Sequence, residues 1–116
     1  MTDSDTRSAV LLGTLDLLVL KLLELGPMHG WGLAEQLETM SDGVFCVNQG
    51  SLYPALQRLK RRGLVRARWR VTDNARRARY YELTRKGATQ LEHERTTWSR
   101  TSGAVNRVLA FNRREG

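Results

Sequence analysis

The chain has 116 residues, enough for one domain with a modest hydrophobic core. Its net charge of +7 favours a polyanionic partner, and the single cysteine, Cys46, excludes an intramolecular disulfide. Residues 15–25, the longest apolar segment, include three charged residues and fall short of the roughly 20 residues that a membrane span requires. No secretory signal is recognisable at the N-terminus, so we expect a cytoplasmic protein without a membrane partner.

The charge is concentrated in one part of the chain. Residues 1–57 carry two basic and seven acidic residues, whereas residues 58–86 carry twelve basic and two acidic residues. Residues 87–116 carry five basic and three acidic residues. A polyanion is therefore expected to bind the middle of the sequence.

The first predicted helix covers residues 14–25, with Thr14 as its cap, after a flexible N-terminus at residues 1–8. This helix is apolar nearly all round, which predicts burial on more than one side. Two explanations remain open: a second subunit covers its outer side, or it is the central helix of a small monomer. Gly26 and Pro27 end it.

A second helix is predicted at residues 31–40, where apolar side chains recur with helical spacing. His29 precedes it and is interpreted as a turn or capping residue. Residues 44–47 form a short apolar run and are a candidate strand.

Residues 48–63 form the third predicted helix, and its two faces differ in chemistry. One face is apolar and carries Leu52, Ala55, Leu56 and Leu59. The other is polar and basic, with small residues near its start, and carries Gly50, Pro54, Gln57, Arg58 and Arg61. Such a face suits a helix that reads the DNA major groove, although an ordinary helix with a solvated basic face has the same pattern. The N-cap is either Asn48 or Ser51, and Pro54 lies in the first turn only in the second case.

Two strands follow, at residues 64–71 and 79–84, joined by a polar turn at residues 72–78. In the first strand, Val65, Ala67, Trp69 and Val71 alternate with arginines, which predicts one buried face. The apolar faces coincide if the residues pair as Trp69 with Tyr81, Ala67 with Leu83 and Arg68 with Glu82.

The predicted order is helix, helix, short strand, helix, hairpin and helix, which indicates a mainly α (α+β) winged helix-turn-helix. The DNA-binding domain is assigned to residues 9–84, a C-terminal dimerisation helix to residues 85–111 and a flexible tail to residues 112–116. The third helix and the hairpin tip are then expected to form one positive surface of the protein that binds double-stranded DNA. Its candidate contacts are Asn48, Gln49, Gly50, Ser51, Tyr53, Pro54, Gln57, Arg58, Arg61, Asn74, Arg76 and Arg77.

Three blocks of the chain resemble the PadR family of transcriptional regulators. They are residues 26–31 (GPMHGW), residues 50–59 (GSLYPALQRL) with the following Gly63-Leu64-Val65, and residues 79–87 (RYYELTRKG). The Ser-Leu-Tyr-Pro run is the most specific of them. Trp31 stands where Tyr is more usual in the family, and Gln49 stands where many members have proline.

The resemblance implies a homodimeric repressor of the small subfamily with a single C-terminal helix. The expected dimer interface combines the first and last helices and consists of Leu17, Leu20, Leu91, Trp98, Val105, Val108 and Leu109. Some relatives bind flat aromatic ligands at a tryptophan of this interface, so Trp98 is also the candidate site for a small aromatic effector. The favoured alternative is that Trp98 only anchors the interface.

Other chemistry has little support in the sequence. His29, His93 and Cys46 lack the paired spacing of metal ligands, and no arrangement typical of an enzyme is present, so neither a metal, a cofactor nor catalysis is expected. The alternative function is a winged-helix interaction module that uses its basic face to bind an acidic protein.

Overall fold

The computed structural model describes residues 2–113, and it describes the side chains of residues 14–113. Four helices and three strands follow one another as α1 (Thr2–Leu25), β1 (Met28–His29), α2 (Gly30–Met40), α3 (Gln49–Arg61), β2 (Val65–Val71), β3 (Arg77–Leu83) and α4 (Arg85–Ala110). The strands form one antiparallel sheet in the order β1-β3-β2. This arrangement confirms the predicted mainly helical winged helix-turn-helix.

Helix α1 begins earlier than the sequence predicted. It starts at Thr2, so residues 2–8, which were assigned to a flexible N-terminus, are helical, and Thr14 lies inside the helix instead of capping it. A helix adds one backbone hydrogen bond for each residue that joins it, and no proline interrupts residues 2–13. Of the predicted flexible tail, residues 112 and 113 lack regular structure, whereas residues 114–116, like Met1, lie outside the described residues.

The hydrophobic core is built around α1, which packs against α2, α3, α4 and β3. Leu20 and Leu23, which lie off the main apolar face of α1, are buried within this single chain, and Leu17 remains half-buried. The all-round apolar pattern is therefore largely explained by a central helix. This corrects one predicted dimer contact, because Leu20 is already enclosed by its own chain.

The short strand of the sheet is β1, and it lies outside residues 44–47, the segment that was predicted to form a short strand. Residues 44–47 have no regular structure, whereas Met28 pairs with Tyr81 and His29 pairs with Tyr80. A strand needs a partner with free backbone groups, and the turn between α1 and α2 runs along the open edge of β3. Val47 instead packs against the core from a loop.

The hairpin of β2 and β3 pairs two residues away from the predicted register. Ala67 lies opposite Tyr81, Arg66 opposite Glu82 and Trp69 opposite Arg79. A two-residue shift leaves each side chain on its predicted face, so the alternation pattern alone did not distinguish the registers. The five-residue turn at residues 72–76 sets the observed register. The same register extends one pair beyond the strands, where the Thr84 amide donates to the Leu64 carbonyl at 3.1 Å.

The predicted buried face of β2 is buried only near its base. Val65 is enclosed and Ala67 is half-buried, whereas Trp69 is 55 % exposed and Val71 is 70 % exposed. The reason is that the helices cover only the first part of the hairpin. Its outer part extends beyond the core.

The base of the hairpin is tied directly to α4. Thr84 caps this helix by accepting a hydrogen bond from the Gly87 amide at 3.0 Å, and its hydroxyl lies 2.7 Å from the Gly63 carbonyl oxygen. Gly87 itself packs so closely that an added Cβ would overlap the Leu64 carbonyl oxygen. The end of α3, the hairpin and the start of α4 therefore form one rigid unit.

Candidate nucleic-acid interface

Helix α3 is held by its apolar face and by a defined cap. Leu52, Ala55, Leu56 and Leu59 are buried, as predicted. The side-chain oxygen of Asn48 accepts a hydrogen bond from the Ser51 amide at 2.9 Å, which settles the choice of N-cap in favour of Asn48. These interactions leave the opposite face of α3 outside the core.

Pro54 is consequently an interior residue of α3 and not part of its first turn. It has no amide hydrogen, so the Gly50 carbonyl lacks the usual donor four residues later. Gly50, Pro54 and Arg61 are exposed on the outward face, and Gln57 is half-buried. The margins of that face, Ser51 and Tyr53, are exposed too.

Arg58 does not belong to the free outward face, which changes its predicted role. Its Nη2 donates to Asp16 Oδ1 of α1 at 2.9 Å, and the two side chains are only 34 % and 15 % exposed. Burial raises the pKa of the Asp16 carboxyl above its ordinary value, while the hydrogen bond from Arg58 acts in the opposite direction. Arg58 therefore links α3 to α1.

The hairpin tip is held by a network around Thr72. The Thr72 amide donates to the Arg76 carbonyl at 2.6 Å, and the Thr72 hydroxyl lies 2.6 Å from Asn74 Oδ1. Ala75 has a left-handed backbone with φ of 65° and donates its amide to the Thr72 carbonyl at 3.0 Å. This network orders the backbone that carries Asn74 and Arg76, both of which are exposed.

The arginines of the hairpin fall into two groups. Near the base, Arg66 Nε and Arg68 Nε contact the Glu82 carboxylate at 3.0 Å and 3.3 Å. In the outer part, Arg70, Arg76, Arg77 and Arg79 form no salt bridge with any residue that the structure describes. The uncompensated positive charge of the hairpin is therefore concentrated at its outer end.

A groove of about 730 Å³ separates the outer hairpin from the first turns of α2 and α3. It brings together five candidate DNA contacts from the two segments: Gln49, Tyr53, Asn74, Arg76 and Arg77. Gln57, Arg58 and Arg61 are not among its lining residues. The groove shows that the start of α3 and the hairpin tip face a common space.

The groove is also lined by Trp31, Trp69, Arg79 and Tyr80, which the sequence did not indicate as candidate DNA contacts. Trp69 was assigned to the core because it shares a face of β2 with Val65 and Ala67. Its distance from the strand base was the signal that it could lie beyond the helices. Trp31 stacks against His29, whose Nδ1 accepts from the Gly32 amide at 2.9 Å and caps α2, one of the two roles the sequence suggested.

A second, apolar surface lies along α4. Val105, Val108 and Leu109 are exposed and Trp98 is 49 % exposed, whereas Leu91 is buried in the core and is removed from the predicted dimer contacts. A cavity of about 380 Å³ separates α4 from α1, and Trp98, Leu17 and Phe45 are among its lining residues. Trp98 therefore borders a cavity as well as the exposed apolar stripe.

Within the described part of the chain, no three His, Cys, Asp or Glu side chains are grouped as metal ligands would be. Among the described residues, no helix combines the length and the apolar character needed to cross a membrane.

The profile of the "Transcriptional regulator PadR-like family" matches residues 19–93. The chain belongs to this family. The match spans α3 and the whole hairpin, and members of the family are transcriptional regulators. Membership of this family implies that the PadR-family regulator binds DNA.

Solved structures resemble this PadR-family regulator over nearly its whole length. A PadR-like transcriptional regulator from Bacillus cereus is 27% identical, with a TM-score of 0.75, over 86% of this chain and 95% of that one. A PadR family regulator from Eggerthella lenta is 28% identical, with a TM-score of 0.73, over 97% and 99% of the two chains. A transcriptional regulator from Clostridium thermocellum shares the fold at 23% identity and a TM-score of 0.77, over 85% and 93%. An uncharacterised protein of Lysinibacillus sphaericus is 21% identical over 100 residues, which are 86% of this chain and 92% of that protein.

Proposed function

We propose that this PadR-family regulator is a homodimeric repressor that places α3 in the major groove of a palindromic operator. In this proposal the wing, formed by β2 and β3, contacts the flanking DNA backbone. One observation carries it: the start of α3 and the uncompensated arginines of the wing line the same groove. Donors on a helix read base edges, whereas arginines on a neighbouring hairpin neutralise phosphates.

The contacts are expected to divide between the two segments. Gln57 and Arg61 lie on the outward face of α3, where a side chain can reach base edges. Arg76 and Arg77 lie at the wing tip and are expected to bind phosphate, which carries no sequence information. Arg58 is held by Asp16, so we assign it to positioning α3 and not to direct base contact.

A matched pair of wing variants tests this interface. Arg76→Ala is expected to weaken binding to every duplex alike and to reduce the salt slope of log K by about 0.9, the value for one neutralised phosphate. Arg68→Ala is the control, because that guanidinium is already paired with Glu82. Gln57→Ala is expected to change the preferred sequence without changing the slope. Fluorescence anisotropy between about 50 and 200 mM salt measures all three.

The same titrations separate DNA binding from binding to an acidic protein. A sequence-specific regulator saturates on one duplex and prefers it to heparin, whereas a basic interaction module shows no such preference. If Arg76→Ala and Gln57→Ala both bind DNA as wild type does, the proposed interface is wrong. A footprint on the chain's own promoter region is the most direct source of an operator for these measurements.

The proposed dimer rests on the exposed apolar stripe of α4. Val108 and Leu109 are 74 % and 76 % exposed in the single chain, and a partner copy would remove this area from water. We expect the purified protein to sediment as a dimer and Leu109→Asp to sediment as a monomer. Val44→Asp is the matched control, because Val44 is equally exposed but lies outside α4. A monomeric wild type would contradict the proposed dimer.

We further propose that a small aromatic effector binds beside Trp98 and releases the DNA. The cavity of about 380 Å³ next to this indole supports the proposal. An aromatic compound that quenches tryptophan fluorescence in wild type but not in Trp98→Ala, and that also lowers DNA affinity, would support it. Quenching without any change in DNA affinity would contradict the release step.

A further inference from the structure

Trp69 combines an apolar side chain with an unusually exposed position. It lies on the face of β2 that continues from the core, yet it is beyond the helices and 55 % exposed. Two guanidinium groups lie over its indole ring: the Cζ atoms of Arg77 and Arg79 are 5.0 Å and 5.6 Å from the ring centroid. These distances are within the range of cation–π interactions.

The strand register imposes this arrangement. Trp69 is directly opposite Arg79, and Arg77, two residues before Arg79 in β3, lies on the same face. The backbone pairing therefore sets an arginine opposite the tryptophan and another on its diagonal. No loop movement is needed to form the two contacts.

The indole is the partner that holds these arginines in the free protein. Among the described residues, neither Arg77 nor Arg79 forms a salt bridge, and the buried Nε of Arg79 has no hydrogen-bond acceptor. Arg66 and Arg68, by contrast, are held by the Glu82 carboxylate, which compensates half of their combined charge. A π face orients a guanidinium without neutralising it, so Arg77 and Arg79 are both ordered and available to an anion.

We infer that Trp69 is a positioning residue for DNA binding, which pre-orders Arg77 and Arg79 at the groove before the phosphates arrive. This inference rests on the proposed function. A flexible arginine loses side-chain entropy when it binds phosphate, and an arginine that is already ordered loses less. The wing of this chain is thus preorganised by an aromatic residue that itself need not touch DNA.

A double-mutant cycle tests the inference on a duplex of about 30 base pairs with random sequence, because phosphate contacts do not depend on sequence. Trp69→Ala is expected to weaken binding about tenfold, since two long side chains must then be ordered on binding, with the salt slope unchanged. The Arg77→Ala, Arg79→Ala double variant is expected to weaken binding and to reduce the slope by about 1.8, for two phosphates. Adding Trp69→Ala to that double variant should have no further effect.

Two controls make the cycle specific. Trp69→Phe retains a ring face and is expected to recover most of the lost affinity. Trp31→Ala removes the other exposed tryptophan of the groove, whose ring stacks on His29. This substitution should change the DNA affinity by the same factor whether Arg77 and Arg79 are present or replaced by alanine. Thermal unfolding of each variant checks that the exposed substitution leaves the fold intact.

The outcomes separate this inference from the proposed function. If Arg76→Ala and the arginine double variant both bind as wild type does, the proposed interface fails. If those variants weaken binding but Trp69→Ala does not, only the positioning role fails. An effect of Trp69→Ala that persists undiminished without Arg77 and Arg79 also overturns it, because Trp69 would then contact DNA independently.

Discussion

The base and the tip of the wing share one sequence pattern but have opposite environments. At the base, Val65 and Tyr81 are buried, and the Glu82 carboxylate forms salt bridges with two neighbouring arginines. At the tip, the same alternation exposes Trp69 and Val71, and the arginines have no carboxylate partner among the described residues.

The difference shows that alternation assigns side chains to faces, whereas the surrounding helices decide which part of a face is buried. The base consequently contributes to stability and the tip to charge. Substitutions at the base should therefore change the stability of the protein, whereas substitutions at the tip should change its affinity for DNA.

Tyr81→Ala should have the largest effect on stability. Tyr81 is 1 % exposed at the centre of the sheet, so truncation leaves a cavity and is expected to lower the free energy of unfolding by about 3–5 kcal/mol. Val71→Ala, the matched change at the tip, is expected to stay within about 0.5 kcal/mol. Urea denaturation measures both, and similar losses at the two positions would contradict the division between base and tip.

Gly87→Ala should be the next most damaging substitution. The added methyl group would overlap the Leu64 carbonyl and force the start of α4 away from the hairpin base. We expect a loss of about 1–3 kcal/mol in the free energy of unfolding, the range for overpacked sites. Thr89→Ala, on the exposed side of the same helix, is the control. Wild-type stability for Gly87→Ala would mean that α4 is not fixed to the base.

Tyr81→Phe should separate burial from titration at the same position. Burial raises the pKa of the Tyr81 hydroxyl above 10.0, and the nearby Tyr53 adds to the increase. Tyrosine in the unfolded chain then ionises first, so this residue stabilises the fold fully below pH 10 and loses that contribution as pH rises further. Between about pH 9 and 11, Tyr81→Phe should lose less stability than wild type. Parallel losses in the two proteins would contradict the assignment.

Ala75→Gly should have the smallest effect, and in the opposite direction. Ala75 has φ of 65° at the wing tip, a conformation that glycine adopts without the steric cost that alanine carries. The substitution is expected to raise the free energy of unfolding by at most about 1 kcal/mol while leaving DNA affinity nearly unchanged. A clear loss of stability would show that the tip network does not need this conformation.

Local patterns were sufficient for α2, α3, the two wing strands and α4, but not for the start of α1 or for β1. The faces of α3, the two wing strands and the concentration of charge all depend on neighbours within a few residues. The choice of Asn48 as the N-cap of α3 and the cap at Thr84 came from the structure. The motifs at residues 26–31, 50–59 and 79–87 likewise indicated the PadR family from the sequence alone, and the family profile confirms it. The candidate DNA contacts on α3 and at the wing tip remain predictions.

What the tertiary structure decided concerns residues far apart in the sequence. It enclosed Leu20 and Leu91 in their own chain, tied Arg58 to Asp16 across 42 positions, paired β1 with β3 and shifted the hairpin by two residues. Periodicity carries no information on which helix covers a face or which carboxylate lies near an arginine, because those depend on packing in three dimensions. For the same reason Trp69 could be assigned to a face from its sequence position, but its place over two arginines beyond the core could not.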